Sequence, residues 1–273
     1  MTKDELINSA VQFIKESPMN YITKDIALQP NYVGMKIYEA PIFAFGYVAA
    51  KLYKDFKSDD IIGAHSLMPT EWLPSSQTVV SFFLPYNIDI KLANGIGSDW
   101  PSDAWLHGRY EGQLLINELL TFLVTTLSGL GFETIAPSTS SRFKIIRNKD
   151  NQLIANWSER HVAYACGLGT FGLSKGIITE KGMCGRFGSL ITALNLPKDE
   201  SKYSDIYEYC TMCGLCAKRC PAKAISIEHG KKHDPCATFI GEVGKKHQPR
   251  SGCGKCQIRV PCASRIPRKT LSS

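Results

Sequence analysis

Cys210-Thr211-Met212-Cys213-Gly214-Leu215-Cys216-Ala217-Lys218-Arg219-Cys220-Pro221 is the stretch on which the reading of this chain turns. Its cysteines follow C-x2-C-x2-C-x3-C-P, a run that holds cubane iron–sulfur clusters. Two-residue gaps let one short loop wrap three thiolates around a corner of a cubane, and Gly214 permits the tight backbone this needs. Pro221 turns the chain away, so Cys220 is expected to point toward a different cluster. Structural zinc is the competing use of such cysteines, but it usually pairs them as two separate C-x2-C knuckles.

Downstream, Cys236 stands alone, followed by Cys253-Gly254-Lys255-Cys256 and then Pro261-Cys262. In two-cluster proteins the last cysteine of each half crosses over. One [4Fe–4S] cluster is then expected on Cys210, Cys213, Cys216 and Cys262, and the other on Cys220, Cys236, Cys253 and Cys256. Cys262 departs from the regular spacing: its distance from Cys256 is long, and a proline precedes it. Without Cys262, the first site would hold a [3Fe–4S] cluster or take a ligand from elsewhere.

Eight of the ten cysteines lie between Cys210 and Cys262. The N-terminus, Met1-Thr2-Lys3-Asp4-Glu5, lacks the apolar stretch of a signal peptide. Together these point to metal ligation in a reducing, cytoplasmic setting rather than to disulfides. Cys166 and Cys184 are left over and read as small buried residues. The longest apolar run, near Pro41 to Ala50, is too short for a bilayer and contains Pro41 and Gly46, so no membrane segment is expected.

The chain has 273 residues and a formal charge of +7, and the segment from Cys210 to Ser273 holds 13 Lys and Arg against 3 Asp and Glu. A basic patch can serve nucleic acid. It can also serve the clusters themselves. An oxidised core of about +2 held by four thiolates carries about −2. Lys218, Arg219, Lys223, Lys255 and Arg259 lie close enough to ligands in sequence to offset that charge.

Upstream, 44% hydrophobic content over this length supports one sizeable core plus a smaller module. Residues Asp4 to Glu16 read as an amphipathic helix and Thr78 to Leu84 as a buried strand ending at Pro85. Glu111 to Leu130 reads as a long helix stopped by Gly129 and Gly131, and Phe132 to Ala136 as the next strand. Ser158 to Cys166 reads as a helix with Ser158 as its cap and Gly167 ending it. Ile177 to Thr179 and Ser189 to Leu194 read as strands joined across the glycine-rich segment 182–188. A charged stretch, Pro197 to Asp205, reads as a linker. The expected organisation is an α+β domain over residues 1–200 and a cysteine module over residues 201–273.

Gly167-Leu168-Gly169-Thr170-Phe171-Gly172 is a literal G-x-G-x-x-G. A dinucleotide fingerprint follows a strand and opens a helix, whereas a helix precedes this one, so a Rossmann site is not expected. The glycines instead let the backbone approach a large flat ligand or another element.

Trp157-Ser158-Glu159-Arg160-His161-Val162-Ala163-Tyr164-Ala165-Cys166 leads into that turn. Arg186-Phe187-Gly188-Ser189-Leu190-Ile191-Thr192 and the cysteine run follow. This combination resembles the epoxyqueuosine reductase and reductive dehalogenase superfamily. Leu73-Pro74-Ser75-Ser76-Gln77-Thr78-Val79-Val80, Pro85-Tyr86 and Gly108-Arg109-Tyr110 are similar to the queuosine-type enzymes. The resemblance runs from about residue 60 to residue 262.

It implies a nitroreductase-like, cobalamin-binding-type α+β domain followed by a two-cluster, ferredoxin-like module. It also implies clusters that reduce a corrinoid cobalt, with the cofactor doing the hard chemistry. Glu159, Arg160, Gly167, Leu168, Gly169, Thr170, Phe171, Gly188 and Ser189 become candidate cofactor contacts. Tyr110, Glu159 and Tyr164 are candidate proton donors. Such a reductase would draw electrons from an external carrier such as a ferredoxin or flavodoxin. Its substrate would be a small molecule or a modified nucleoside.

The sequence departs from the pattern in several places. The queuosine enzymes place an acid six positions before the Glu-Arg pair; Leu153 stands there, flanked by Asn151 and Asn156, with Asp150 off register. There is no D-x-H-x-x-G corrinoid motif, no helical-repeat tail and no twin-arginine signal, so a short cytoplasmic relative is expected. Glu159 and Arg160 could equally form a helix-surface pair. His161, with no acidic partner nearby in sequence, reads as structural. Two other functions remain open: an electron-transfer protein without corrinoid that reduces a partner, and an RNA-binding iron–sulfur protein.

Overall fold

The Val- and Phe-rich run starting at Thr78 becomes the central strand, and its lack of polar alternation is what a strand covered on both faces requires. The computed structural model describes residues 1–97, 99–147 and 153–268. In chain order its main elements are α1 (Lys3–Glu16), β1 (Ile42–Tyr47), α2 (Lys51–Asp55), α3 (Pro69–Trp72), β2 (Thr78–Pro85), α4 (Ile88–Gly95), α5 (Asp103–Gly129), β3 (Thr134–Ile135), β4 (Ile145–Arg147), β5 (Leu153–Ala155), α6 (Glu159–Ala165), β6 (Thr170–Phe171), β7 (Ile177–Ile178), β8 (Gly185–Thr192), α7 (Leu215–Lys218), β9 (Ile225–Ser226), β10 (Gly230–Lys231) and α8 (His233–His247). The fold is α+β, as expected. No helix among the described residues is long and apolar enough to cross a membrane.

The main sheet has the order β1-β2-β8-β3, antiparallel throughout. Every residue of β2 is buried. Val80, Phe82 and Leu84 join a core built with α1 and α5. Val79 and Phe83 face the opposite core, with Trp157, Val162 and Ala163 at and within α6. Side chains alternate across a strand, so one apolar run feeds two cores.

α1 starts on a capping box: the Thr2 hydroxyl accepts from the Glu5 amide at 3.2 Å, and the Glu5 carboxylate accepts from the Thr2 amide at 2.7 Å. α5 starts eight residues before the sequence expectation, where the Ser102 hydroxyl accepts from the Trp105 amide at 3.2 Å. At roughly 1.5 Å per residue its 27 residues span about 40 Å. Its C-terminal half packs in the main core; its first two turns reach the cysteines.

Three expectations are corrected. Ile177–Ile178 and the Ser189 strand do not pair with each other. β7 pairs with β6, and β8 lies in the main sheet, because a tight turn closed by Thr179 and Gly182 separates them. Ser158 occupies the cap position of α6, but its hydroxyl bonds His161 Nδ1 at 2.8 Å rather than the helix amides. The charged stretch after Pro197 is anchored, not loose: Asp199 accepts from the Phe45 amide at 2.9 Å and pairs with Lys3.

The break at residue 200 is also not a break in packing. Leu173, Ile178 and Met183 share a core with Cys216, Ile225 and Val260. Ile258 joins the main core. A buried Arg250–Glu111 pair ties the cysteine region to α5, and His107 Nδ1 sits 3.1 Å from the same carboxylate.

Candidate iron–sulfur centre

The C-x2-C-x2-C loop wraps as its spacing requires, with Gly214 at φ 71° between Cys213 and Cys216. Cys210, Cys213 and Cys216 line one cavity, and Cys262 completes the quartet. Cys262 arrives despite its irregular spacing because its strand of chain is docked. The Met183 amide donates to the Cys262 carbonyl at 3.0 Å, and the Cys184 amide donates to Ala263 at 3.1 Å. Burial, then Cys210, with Cys216 and Cys213 adding, pushes the Cys262 thiol up to about 12.

Cys220, Cys236, Cys253 and Cys256 line a second, separate cavity. Cys236 comes from the first turn of α8, a helix that the sequence reading missed because its apolar face is short. Burial pushes Cys256 up to about 12; Lys231 opposes this, and Cys253, Cys236 and Cys220 add to it. The Ala224 amide donates to Cys220 Sγ at 3.3 Å. The eight cysteines thus line two cavities, four and four. Among the described residues, no three or more His, Cys, Asp or Glu converge on a single-ion site. Four thiols ringing a cavity suit a larger, multi-iron group better than one zinc ion.

Part of the basic excess turns inward. Lys255 is 3% exposed and its Nζ donates to the Asn94 carbonyl at 3.0 Å. Arg219 donates to the Lys255 carbonyl at 3.3 Å, and Arg259 to Gly95 at 3.3 Å. Of these, Lys255 lies beside a thiol, that of Cys253, while Arg259 is exposed.

The candidate cofactor contacts split into two groups. Gly167 and Leu168 line a cavity of about 510 Å³, partly open to solvent, within the roughly 300–1,000 Å³ of most small-molecule sites. Phe43 and Ala44 of edge strand β1 form its apolar side, and Lys3, Lys202, Glu180, Asp199 and Glu200 a charged side of mixed sign, with Lys3 paired to Asp199. Tyr209, the neighbour of Cys210, and Ile266 also line it, and both pack against the core against which Cys210 and Cys262 lie. This cavity thus lies next to the first quartet in the chain and in packing, although no residue lines both.

The other candidates meet protein. A Cβ on Gly169 would lie 2.2 Å from the Ile178 carbonyl oxygen, and one on Gly188 2.4 Å from the Phe82 ring. Thr170 and Phe171 are buried in β6. Of the two possibilities for the glycine turn, Gly169 serves close approach of another element. Arg160 is exposed and donates to the Lys175 carbonyl at 2.6 Å.

Glu159 is half-buried, with its carboxyl held by Ser189 at 2.6 Å, which in turn accepts from Trp157 Nε1 at 2.8 Å. Burial pushes that carboxyl up to about 7, against the Ser189 and Ser138 hydroxyls and Arg186. It latches α6 to β8 and does not line the large cavity. Tyr110 lies under the Arg250 guanidinium and Tyr164 stacks on Tyr203 at 5.2 Å; neither lines the large cavity. Burial holds His161 down to about 4, a neutral ring packed against Phe56 and Phe171. Cys166 and Cys184 are buried and line neither cavity, with the Cys184 thiol donating to the Gln257 carbonyl at 2.6 Å beside the second quartet. At the position of the expected acid, Leu153 is 48% exposed. Asp150 and Asn151 lie outside the described residues.

Comparison with known proteins agrees with this geometry. Residues 203–226 match the 4Fe-4S binding domain family. A 72-residue segment is 38% identical to the tetrachloroethene reductive dehalogenase of Desulfitobacterium hafniense. That segment is 26% of this chain and only 13% of the dehalogenase. Among solved structures, an epoxyqueuosine reductase bound to an epoxyqueuosine-modified tRNA stem loop superposes with a TM-score of 0.54 at 17% identity. That match covers 98% of this chain and 67% of the reductase. The epoxyqueuosine reductase from Streptococcus thermophilus gives 0.52 at 15% identity, over 96% of this chain and 66% of its own. A reductive dehalogenase described with a mechanism for B12-dependent dehalogenation gives 0.53 at 14% identity, over 97% of this chain and 37% of its own. The resemblance read in the sequence is thus borne out in the fold: this chain carries a 4Fe–4S binding domain within the architecture shared by epoxyqueuosine reductases and reductive dehalogenases.

Proposed function

We propose that this protein is an iron–sulfur oxidoreductase whose two [4Fe–4S] clusters pass electrons to a corrinoid held in the cavity beside the first quartet. The observation that carries this reading is adjacency: the cavity is bounded by Tyr209, the residue next to Cys210. The cavity suits an amphipathic ligand, with Phe43, Ala44 and Leu168 for an apolar face and the charged side chains Lys202, Glu180 and Glu200 for polar substituents. A bound corrinoid would supply low-valent cobalt as nucleophile and reductant. The chain's own part is to bind that group, keep water from its apolar face and hold the first cluster near it. Electrons would enter from an external carrier such as a ferredoxin or flavodoxin, and the substrate is a small molecule or modified nucleoside.

The test uses anaerobically reconstituted protein. It should hold about eight iron atoms per chain and bind added cobalamin under reducing conditions, with a shift of the corrinoid absorption bands. Leu168→Arg, which fills the cavity with charge, should abolish that binding with the iron retained. If fully iron-loaded wild type binds no cobalamin, the carrier reading takes over. That second reading is an electron-transfer protein serving a partner. It is favoured by the non-acidic Leu153 and by Gly169 packing on protein.

A further inference from the structure

Trp105 and Arg109 stand four residues apart near the start of α5, so they share one face of the helix. That face looks into the cavity of Cys220, Cys236, Cys253 and Cys256. Room for both side chains is cleared by the two glycines flanking Cys253. A Cβ on Gly254 would lie 1.8 Å from the Trp105 ring, and one on Gly252 2.9 Å from Arg109 Cγ and Nε. Close packing of this kind fixes where the two N–H groups point.

Neither N–H has an acceptor. Trp105 Nε1 and Arg109 Nε are both buried without a hydrogen-bond partner among the described residues. A buried donor left unpaired is costly, and native interiors avoid it unless a ligand completes it. Charge points the same way. Arg109 lies beside Arg186, whose guanidinium bonds the Gln113 side chain. The groups that favour charge on Arg109 are the Tyr86 and Tyr38 hydroxyls and the Cys236 thiol, with no carboxylate among them. Arg109, beside a second guanidinium and with no carboxylate of its own, is offset by a negative group nearby, and a cubane on four thiolates carries about −2.

We propose that Trp105 and Arg109 donate hydrogen bonds to sulfur atoms of the second cluster and raise its reduction potential. This rests on the two-cluster reading above. The physical basis is direct: the one-electron [4Fe–4S]²⁺/⁺ couple adds a negative charge, and donors and cations aimed at the sulfurs stabilise the reduced form. The first quartet has no equivalent. Among the described residues its cavity is walled by Leu173, Ile178, Met183 and Val260, with Ser174 and Thr211 as the polar side chains besides the cysteines and no charged ones.

The experiment is an anaerobic redox titration of the reconstituted full chain, followed by the spin signal of each reduced cluster. Cys213→Ala and Cys253→Ala assign the signals to the first and second sites. Trp105→Phe removes the N–H while keeping a ring against Gly254. Arg109→Met removes the charge and the N–H. Each is expected to retain full iron and to move the second couple to lower potential, leaving the first in place. If both variants keep both signals and neither potential moves, the tuning role is wrong while the two-cluster reading stands. Loss of the second-site iron in both variants would make the two residues structural and likewise overturn the proposal. If wild type shows no second iron–sulfur signal, the two-cluster reading itself has failed.

Discussion

Around the first quartet the wall is Leu173, Ile178, Met183 and Val260; around the second, Ile225, Phe239 and Ile240 are joined by Trp105, Arg109, Lys231 and Gln257. Both sites are four thiols, yet among the described residues one is set among apolar side chains and the other also among donors and cations. The first borrows its wall from the β6–β7 hairpin and from residue 183, in the α+β part of the chain. The second borrows from the face of α5 and from α8. In iron–sulfur sites the ligands fix where the cluster goes, while the surroundings set its potential. The contrast teaches that two four-cysteine sites in one chain can be given surroundings of different polarity, which would tune bound clusters differently.

The largest expected effect would break or confirm the pairing itself. Cys213→Ala should remove one cluster, taking iron from about eight to about four per chain, Cys262→Ala should alter that same cluster, and Cys253→Ala should remove the other. Iron analysis with low-temperature spin spectra checks this. If Cys262→Ala grouped with Cys253→Ala, the crossover would be wrong.

Next in size is the strut that ties the second site to α5. Arg250 lies three residues before Cys253 and pairs with Glu111, which is 7% exposed. Breaking a buried pair by removing one partner costs about 3–5 kcal/mol. Arg250→Met should lower anaerobic urea stability by that order and weaken the second cluster before the first. The pair also has a pH signature. Hydrogen bonds from His107 and Arg250 outweigh burial and hold the Glu111 carboxyl below its ordinary 4.5. Its contribution is therefore fully present above pH 4.5 and is lost as pH falls through the lowered value.

The hairpin beside the first site gives a smaller effect on the opposite quartet. Gly169→Ala drives a methyl into the Ile178 carbonyl. Overpacking costs typically about 1–3 kcal/mol, and contact with backbone belongs at the upper end. Because Gly172 and Ile178 line the first cavity, first-site iron should become labile while second-site iron persists. Equal loss from both sites would erase the distinction between them.

Glu159 gives the mildest test. Its carboxyl is raised from 4.5 to about 7, so the folded state binds the extra proton between those values. Stability from this group is full below pH 4.5 and declines as pH rises through 7. Glu159→Gln should remove that decline, a difference of about 1–2 kcal/mol at pH 8 after allowing for partial exposure. Parallel pH–stability profiles for the two proteins would contradict it.

Much of this was legible in the chain. Cys210 to Pro221 defined three ligands of one cluster and one of another, because cubane ligation constrains spacing within a short loop. The Thr78 run named the central strand, since a doubly covered strand has no polar alternation to hide it. The opening of α5 before Glu111 was not read: Trp105 packs in the main core, but Arg109 on the same face turns to the cysteines and breaks the apolar stripe. α8 escaped for the same reason: only Val243 of its residues is buried.

By itself, then, the sequence determined the C-x2-C-x2-C-x3-C run, the central strand and the superfamily likeness, all of which rest on local spacing and local composition. Only the tertiary structure decided that Cys262 reaches the first quartet, since that depends on the amide hydrogen bonds of Met183 and Cys184, about 80 residues away. It also decided that Gly169 serves a protein carbonyl while Gly167 faces a cavity. It placed Trp105 and Arg109 over the second quartet, in the space left by Gly252 and Gly254. Contacts between segments so far apart leave no periodicity in the chain, because packing complementarity is fixed by shape in space and not by position along the sequence.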